Sequence, residues 1–522
     1  MVLVKLKLPQ TRRDAQARFA RAVIVNPPSP PGYTSNKDSM GGFGQLYPAG
    51  APPAPALDLP YLAAYLRKAE VALTVVEAGA ARLDIDQLIA RLREIPDLST
   101  SLCIVRTSLP TIDFDLEVCA RIRATGAVGG IALIGTVVSS LWARIQQDSK
   151  IDFAISGEPD GPVLELVQGQ PLEAIAGLKW RDEESGWHDN PERAFERNLD
   201  DLPLPAWDLF PYAAYTIPRS SNTGIMRFLP MLSSRGCPFG CNYCPYPVGQ
   251  GLKWRFRSPN NVVDEMEHLV NAYGVEYILF RDPMFSARQG RVRDICAEIV
   301  RRGLKVHWRC ETRIDCLDEE TIAAMAAAGC TGVNFGVEST DPDVQRNVER
   351  HPITPEESRE KVELCRKYGI QTFAFFIVGL PGDTVDTILD SIEFAVDLDA
   401  GWVQFTVSTP FIGTKLHKWA VKGGRIAPDF YKIISAHEGS VGNENLSPST
   451  IHSLHVLARF LQNNLMNRRG ILKNQRRQEL PYVFAKKTVD WAGNRVAKAL
   501  VRGARYWFSM TATPPSAVSP AS

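Results

Sequence analysis

Short apolar runs alternate with segments of helical periodicity through the first third of the chain. Residues 20–25, 71–77, 101–105, 130–134 and 151–155 are apolar and of strand length. Between them, residues 57–69, 85–94, 114–124 and 162–168 space their apolar positions three and four apart, with Leu59, Leu62, Ala63 and Leu66 on one face of the first. Such alternation predicts a doubly wound parallel sheet with helices on both faces and a ligand beyond the carboxyl ends of the strands. Those ends fall at Asn26-Pro27, Thr107-Ser108, Gly135-Thr136 and Gly157-Glu158. Residues 32–55, rich in Gly and Pro, carry no pattern.

Leu202 to Pro205, with Trp207 and Pro211, reads as an extended connector. The alternation then resumes. Strands are predicted at 227–233, 277–280, 306–309, 332–337, 372–378 and 402–406, and helices at 261–273, 291–302, 318–328, 355–368 and 385–398. Six strand–helix units imply a partial barrel whose site is lined by the loops at the strand carboxyl ends. From about residue 446 the chain is helical and basic, with eleven Lys or Arg and two acids between Asn464 and Trp507. Phe484, Val489, Ala492, Val496, Leu500 and Trp507 fall near one face of that helix. The last dozen residues, rich in Pro, Ser, Thr and Ala, have nothing from which to build a core. The expected divisions are a tail at 1–18, a first domain at 19–200, a linker at 201–226, the barrel at 227–440, a helical extension at 441–510 and a second tail at 511–522.

A chain of 522 residues exceeds one core. Its 45% hydrophobic and 22% charged residues are ordinary for a soluble protein, and a net charge of +1 implies no polyelectrolyte partner, so no nucleic acid is expected. The amino terminus lacks an apolar core of signal length, and no run approaches the length of a membrane span, so a cytoplasmic protein is expected.

Three of the ten cysteines crowd into one loop, Cys237-Pro-Phe-Gly-Cys241-Asn-Tyr-Cys244. Thiolates suit zinc or iron–sulfur clusters. Structural zinc takes four protein ligands, and no fourth Cys or His lies within twenty residues on either side. Three thiolates on a cubane instead leave one iron open. Gly236 and Gly240 let the loop wrap closely. Cys296, Cys310, Cys316, Cys330 and Cys365 read as small buried apolar residues. A zinc knuckle completed by a distant ligand is the competing reading.

The C-x3-C-x2-C loop after the first strand of a six-unit partial barrel resembles the radical S-adenosylmethionine (SAM) superfamily, over about residues 227–419. The resemblance implies a 4Fe–4S cluster on Cys237, Cys241 and Cys244, and SAM as the molecule cleaved to a 5′-deoxyadenosyl radical. It also implies an adenine contact at Tyr243 and a methionine contact at Arg281 and Asp282. Arg313 and Glu338, at the ends of the third and fourth strands, would meet the carboxylate and ribose, and Gly379 the adenine. Arg313 and Glu338 read equally as a barrel-end salt bridge, and Gly379 and Gly382 as a turn. A reductase such as flavodoxin or ferredoxin is the expected electron donor. His307, His351 and His417 are conceivable proton carriers, although a lone histidine is more often a satisfied polar residue.

Ahead of such a barrel, the first domain resembles the Rossmann-like cobalamin-binding domain of B12-dependent radical SAM enzymes. The match rests on Asn26-Pro27-Pro28, Arg106-Thr107-Ser108, Gly135, Ser156-Gly157-Glu158 and the 202–207 connector. It implies corrin contacts at Asn26, Thr107, Ser108, Gly135, Gly157 and Glu158. Thr136 departs from the second glycine common there. No histidine precedes His188, so the D-x-H-x-x-G motif of other cobalamin folds is absent. The two resemblances together imply methylation of an unactivated carbon in a small molecule (a secondary metabolite, lipid or tetrapyrrole), with rearrangement, cyclisation or hydroxylation as alternatives. Readings from other classes are a cobalamin-binding sensor and a zinc-binding nucleic-acid protein. The basic tail packs on the barrel or lies on an anionic membrane through Trp491, Trp507 and Phe508.

Overall fold

A computed structural model describes residues 17–511, apart from 149, 183, 185, 219–224, 428–429, 433–440 and 467–479. The chain divides into two compact units. The first comprises the chain up to Pro30, Asp58–Glu196 and Pro203–Phe210; the second comprises Pro31–Leu57, Arg197–Leu202 and the chain from Pro211 on.

Continuous Val/Ile/Leu runs make the strands of the first unit, as expected where both sheet faces are covered; every residue of Ser101–Arg106 is buried. The spatial order is Leu73–Glu77, Arg21–Asn26, Ser101–Arg106, Gly130–Ile134, Phe153–Ile155, all parallel. Strand order reverses between Arg21–Asn26 and Ser101–Arg106, where a doubly wound sheet opens a crevice. Two antiparallel strands, Leu178–Asp182 and Gly186–Asp189, extend the sheet. Their short, mixed sequence carries no two-residue period and gave no signal. Helix Asp58–Lys68 buries Leu59, Leu62, Ala63 and Leu66, the face read from the sequence.

The second unit holds a seven-stranded sheet. An antiparallel edge strand, Thr216–Pro218, precedes six parallel strands whose spatial order follows the chain: Ile225–Met231, Tyr277–Phe280, His307–Thr312, Cys330–Glu338, Gln371–Val378 and Trp402–Val407. Alternation decides the faces. Thr372, Ala374, Phe376 and Val378 are buried, whereas Phe373, Phe375 and Ile377 between them are half-buried. Phe376 stacks on Phe405 at 4.9 Å in the core.

One expectation needs correction. The unpatterned stretch belongs to the second unit, not the first. It forms an antiparallel ribbon, Tyr33–Asn36 with Gln45–Pro48, and drives Phe43 against Phe411. The carboxyl-terminal helix Leu480–Thr511 turns to the barrel a face other than the stripe read from the sequence. Ala497, Val501, Ala504 and Phe508 pack inward, while Val496, Leu500 and Trp507 are exposed; Phe484, Val489, Ala492 and Trp491 lie outside the described side chains. Charge explains the rotation. Lys498 reaches Asp397 at 2.8 Å, and Arg505 reaches Asp386 and Asp390 at 2.5 and 2.6 Å. Among the described residues no helix is long and apolar enough to cross a membrane.

Candidate functional site

The cysteine loop is pinned from three sides. Gly236 has φ +83, and a side chain there would strike the carbonyl of Lys253. The Gly236 amide donates to Gln250 Oε1 (3.1 Å), and the Cys237 amide to the Gly251 carbonyl (3.2 Å). The Asn242 amide donates to the Val348 carbonyl, and the Leu416 amide donates to the Asn242 carbonyl, both at 3.0 Å. Burial pushes the Cys237 and Cys244 thiols above their ordinary pKa, with charge on the neighbouring cysteines adding to it. Binding a metal group at thiols displaces their protons. Among the described residues no three Cys, His, Asp or Glu side chains close around a single-ion site. A cubane takes each thiolate on a separate iron, and this donor set of three cysteines on one glycine-flanked loop fits it.

Around the loop stand groups from the strand ends. Arg313 is buried, lies 4.7 Å from the Phe239 ring of the cysteine loop, and bonds Asp315 and the His351 carbonyl; its Nη1 is buried without a partner. Glu338 ends its strand at a bulge with φ +67, a left-handed conformation costly for a side-chain-bearing residue. A side chain on Gly336 would overlap its carboxylate. Burial raises the Glu338 pKa, and Arg350, at 3.8 Å, opposes the rise. Tyr243 packs with Val344, Val348 and Leu380, which brings it beside the Gly379–Gly382 turn. That turn is held by Asp383, which accepts the amides of Gly379 and Leu380.

Two predicted contacts are used by the protein itself. Asp282 is fully buried and accepts from Ser233 N, Ser233 Oγ and Ser234 Oγ at 2.8, 2.6 and 2.5 Å. It ties down the strand end that launches the cysteine loop and has no oxygen edge facing solvent. Arg281 pairs with Glu311 at 2.5 Å and stands 3.9 Å from Asp38. Burial works against its charge, but Glu311, Tyr246 and Asp38 outweigh burial and hold it above the ordinary value. Tyr246, Asp38 and Arg350 gave no sequence signal, apart from the position of Tyr246 two residues past Cys244. His417 is buried, and burial lowers its pKa.

In the first unit the candidate residues lie at the carboxyl ends of the parallel strands. Asn26 Nδ2 donates to Glu77 Oε1 at 2.7 Å, leaving Asn26 Oδ1 buried without a donor; Ser156 Oγ is in the same condition. Thr107 Oγ1 donates to Asp115 at 2.8 Å, and Ser108 Oγ meets Thr111 Oγ1 at 2.8 Å, so both hydroxyls brace the loop. Gly135, at φ +145, lets its strand end approach Thr107: a Cβ would lie 2.5 Å from the Thr107 carbonyl oxygen. Gly157 is exposed with φ +78, and Glu158 accepts the Glu196 amide. Unpaired acceptors at these strand ends fit the amide-fringed rim of a corrin. His188, the first histidine, stacks on Trp180 in the antiparallel extension.

The Gly135→Ala variant is expected to lose about 1–3 kcal/mol, because the clash is with backbone and φ is unfavourable. Urea unfolding followed by circular dichroism reads it.

The model of the Radical SAM superfamily matches residues 231–395. These residues form a radical SAM domain. The six parallel strands of the second unit, four of them wholly within this stretch, carry the three cysteines on the loop after the first. An uncharacterized methyltransferase of Pyrococcus horikoshii is 33% identical over 278 residues, 52% of this chain and 58% of the relative. An anaerobic magnesium-protoporphyrin IX monomethyl ester cyclase of Cereibacter sphaeroides is 26% identical over 63% of this chain and 54% of its own length. The chain thus spans a little over half the length of these relatives. In fold, it resembles the radical SAM methyltransferase TsrM from Kitasatospora setae, solved with cobalamin and a [4Fe-4S] cluster, with TM-score 0.63 and 19% identity over 94% of this chain and 100% of that one.

Asp383 adds a pH dependence to the radical SAM domain. Burial pushes its pKa up to about 7 against its hydrogen bonds. The folded state therefore holds a proton that the unfolded chain has already released, and stability falls as pH rises from about 4 to about 7. Asp383→Asn is expected to flatten that slope in thermal unfolding measured across the range.

Proposed function

We propose that this chain is a cobalamin-dependent radical SAM enzyme that methylates an unactivated carbon of a small molecule. When bound, the cluster supplies the electron that cleaves SAM, and cobalamin supplies the methyl group. The observation that carries the reading is the three-cysteine loop set among Arg313, Glu338 and Tyr243, on a chain whose other unit presents unpaired acceptors at its strand ends. Cys237, Cys241 and Cys244 would hold the cluster. The free Nη1 of Arg313 would meet the SAM carboxylate, Glu338 the ribose, and Tyr243 with Gly379 the adenine. Arg281 would act through Glu311, orienting a carboxylate toward the methionine ammonium. Asn26, Thr107, Ser108, Gly135, Gly157 and Glu158 would line the corrin, with Ser156 added by its unpaired hydroxyl. The electron donor would be a flavodoxin or ferredoxin.

The names of the relatives support methylation, and that of the cyclase supports a radical ring closure as the second reading. The product count separates them. Methylation releases S-adenosylhomocysteine together with 5′-deoxyadenosine, whereas cyclisation releases no S-adenosylhomocysteine. The test is anaerobic reconstitution with iron, sulfide and methylcobalamin, followed by SAM and reductant. The expected result is protein that retains iron and corrin and forms 5′-deoxyadenosine. Stoichiometric zinc without iron at the three thiols would overturn the proposal.

A further inference from the structure

We propose that the outer face of the carboxyl-terminal helix docks on an anionic lipid surface. This does not depend on the catalytic reading. From Arg495 onward the helix presents three faces. Ala497, Val501, Ala504 and Phe508 pack on the barrel. Lys498 and Arg505 form ion pairs with the helix Val385–Asp397. The third face carries Val496, Leu500, Trp507 and Met510, spaced four, seven and three apart, at 55%, 42%, 56% and 68% exposure. Tyr506, 68% exposed, borders it. An apolar stripe of this length on a helix already anchored by another face is surplus to folding and marks a binding surface.

Charge selects the occupant. The chain as a whole carries +1, yet the described turns of this helix from Arg495 to Met510 hold Arg495, Lys498, Arg502 and Arg505 and no acid, with Arg495 and Arg502 exposed. A second copy would bring the same positive charge to the face, whereas phosphate head groups complement it. Trp and Tyr beside a Leu/Val/Met stripe suit the boundary between head groups and acyl chains, where an indole or phenol keeps one edge wet. The structure corrects the face: Phe508 belongs to the barrel contact, and Leu500, Val496 and Met510 take its place beside Trp507.

The full-length protein is sedimented with vesicles of pure phosphatidylcholine and of phosphatidylcholine mixed equally with phosphatidylglycerol. Wild type is expected to partition onto the mixed vesicles only, and less so as salt rises. The L500E/W507E variant is expected to bind at least about ten-fold more weakly, and R502E to weaken binding on the mixed vesicles. Both alter exposed positions, so an unchanged thermal midpoint and circular dichroism spectrum verify the fold. Equal binding by wild type and L500E/W507E overturns the proposal, as does equal binding to neutral vesicles. A concentration-dependent dimer in lipid-free buffer that L500E/W507E abolishes also overturns it, because the face would then join two copies of the chain.

Discussion

Cys241→Ala is expected to abolish SAM cleavage while leaving the fold in place. The middle cysteine of the loop has no backbone or side-chain role that alanine cannot fill: the loop is held by the amides of Gly236, Cys237 and Asn242 and by the Asn242 carbonyl. With two thiolates left, a cubane would lack an anchor on a second iron. Loss of an outer-shell partner of a metal ligand costs 10–100-fold in affinity or activity. Loss of a direct ligand is expected to exceed about 100-fold. Iron content and cluster absorbance after anaerobic reconstitution, and 5′-deoxyadenosine formed per protein, read the two parts separately. A variant that keeps wild-type iron and 5′-deoxyadenosine would remove the cluster from these thiols. Retained corrin in the same sample would show that the first unit still folds and binds.

The parallel strands of the barrel and of the doubly wound sheet were legible because each is a short apolar run and each long helix a periodic one; the antiparallel edge strands Leu178–Asp182, Gly186–Asp189 and Thr216–Pro218 carry no such run. Parallel strands in chain order need no long-range information beyond that. What sequence spacing cannot give is the partner of a polar side chain. Asp282 stands at a strand end, where a ligand contact is the natural reading. Yet two serine hydroxyls and an amide nearly fifty residues earlier occupy it. Arg281 likewise reads as a ligand contact until Glu311 and Asp38 are seen beside it. Asp38 lies in a stretch with no period, because a ribbon of four-residue strands joined by left-handed Met40, Gly41, Gly42 and Gly44 offers none. The rotation of the last helix was not legible for a related reason. Periodicity identified an amphipathic helix, but two adjacent faces are apolar, and only the acids of the neighbouring helix decide which one turns inward.

Glu265→Ala is expected to destabilise the second unit by about 3–5 kcal/mol, the cost of stranding a buried charge. Arg257 Nη1 donates to Glu265 Oε2 at 2.5 Å, with side-chain exposures of 4% and 0%. The same guanidinium donates to the Leu232 carbonyl at 3.0 Å and to the Asn261 carbonyl at 3.0 Å, and the Arg257 amide donates to the Ser233 carbonyl at 3.0 Å. The pair therefore clamps the chain four to five residues before Cys237. Without the carboxylate, Arg257 must either hold an uncompensated charge in the core or swing outward and release Leu232. Both routes loosen the strand end that Asp282 also grips. Denaturant unfolding should show the loss, and reconstituted iron should fall with it. Replacing both residues by methionine removes the charge problem and should restore most of the stability. It would not restore the bond to the Leu232 carbonyl. If that double variant is stable yet poor in iron, the clamp positions the cysteine loop as well as supporting the fold; if stability and iron recover together, the pair serves packing alone.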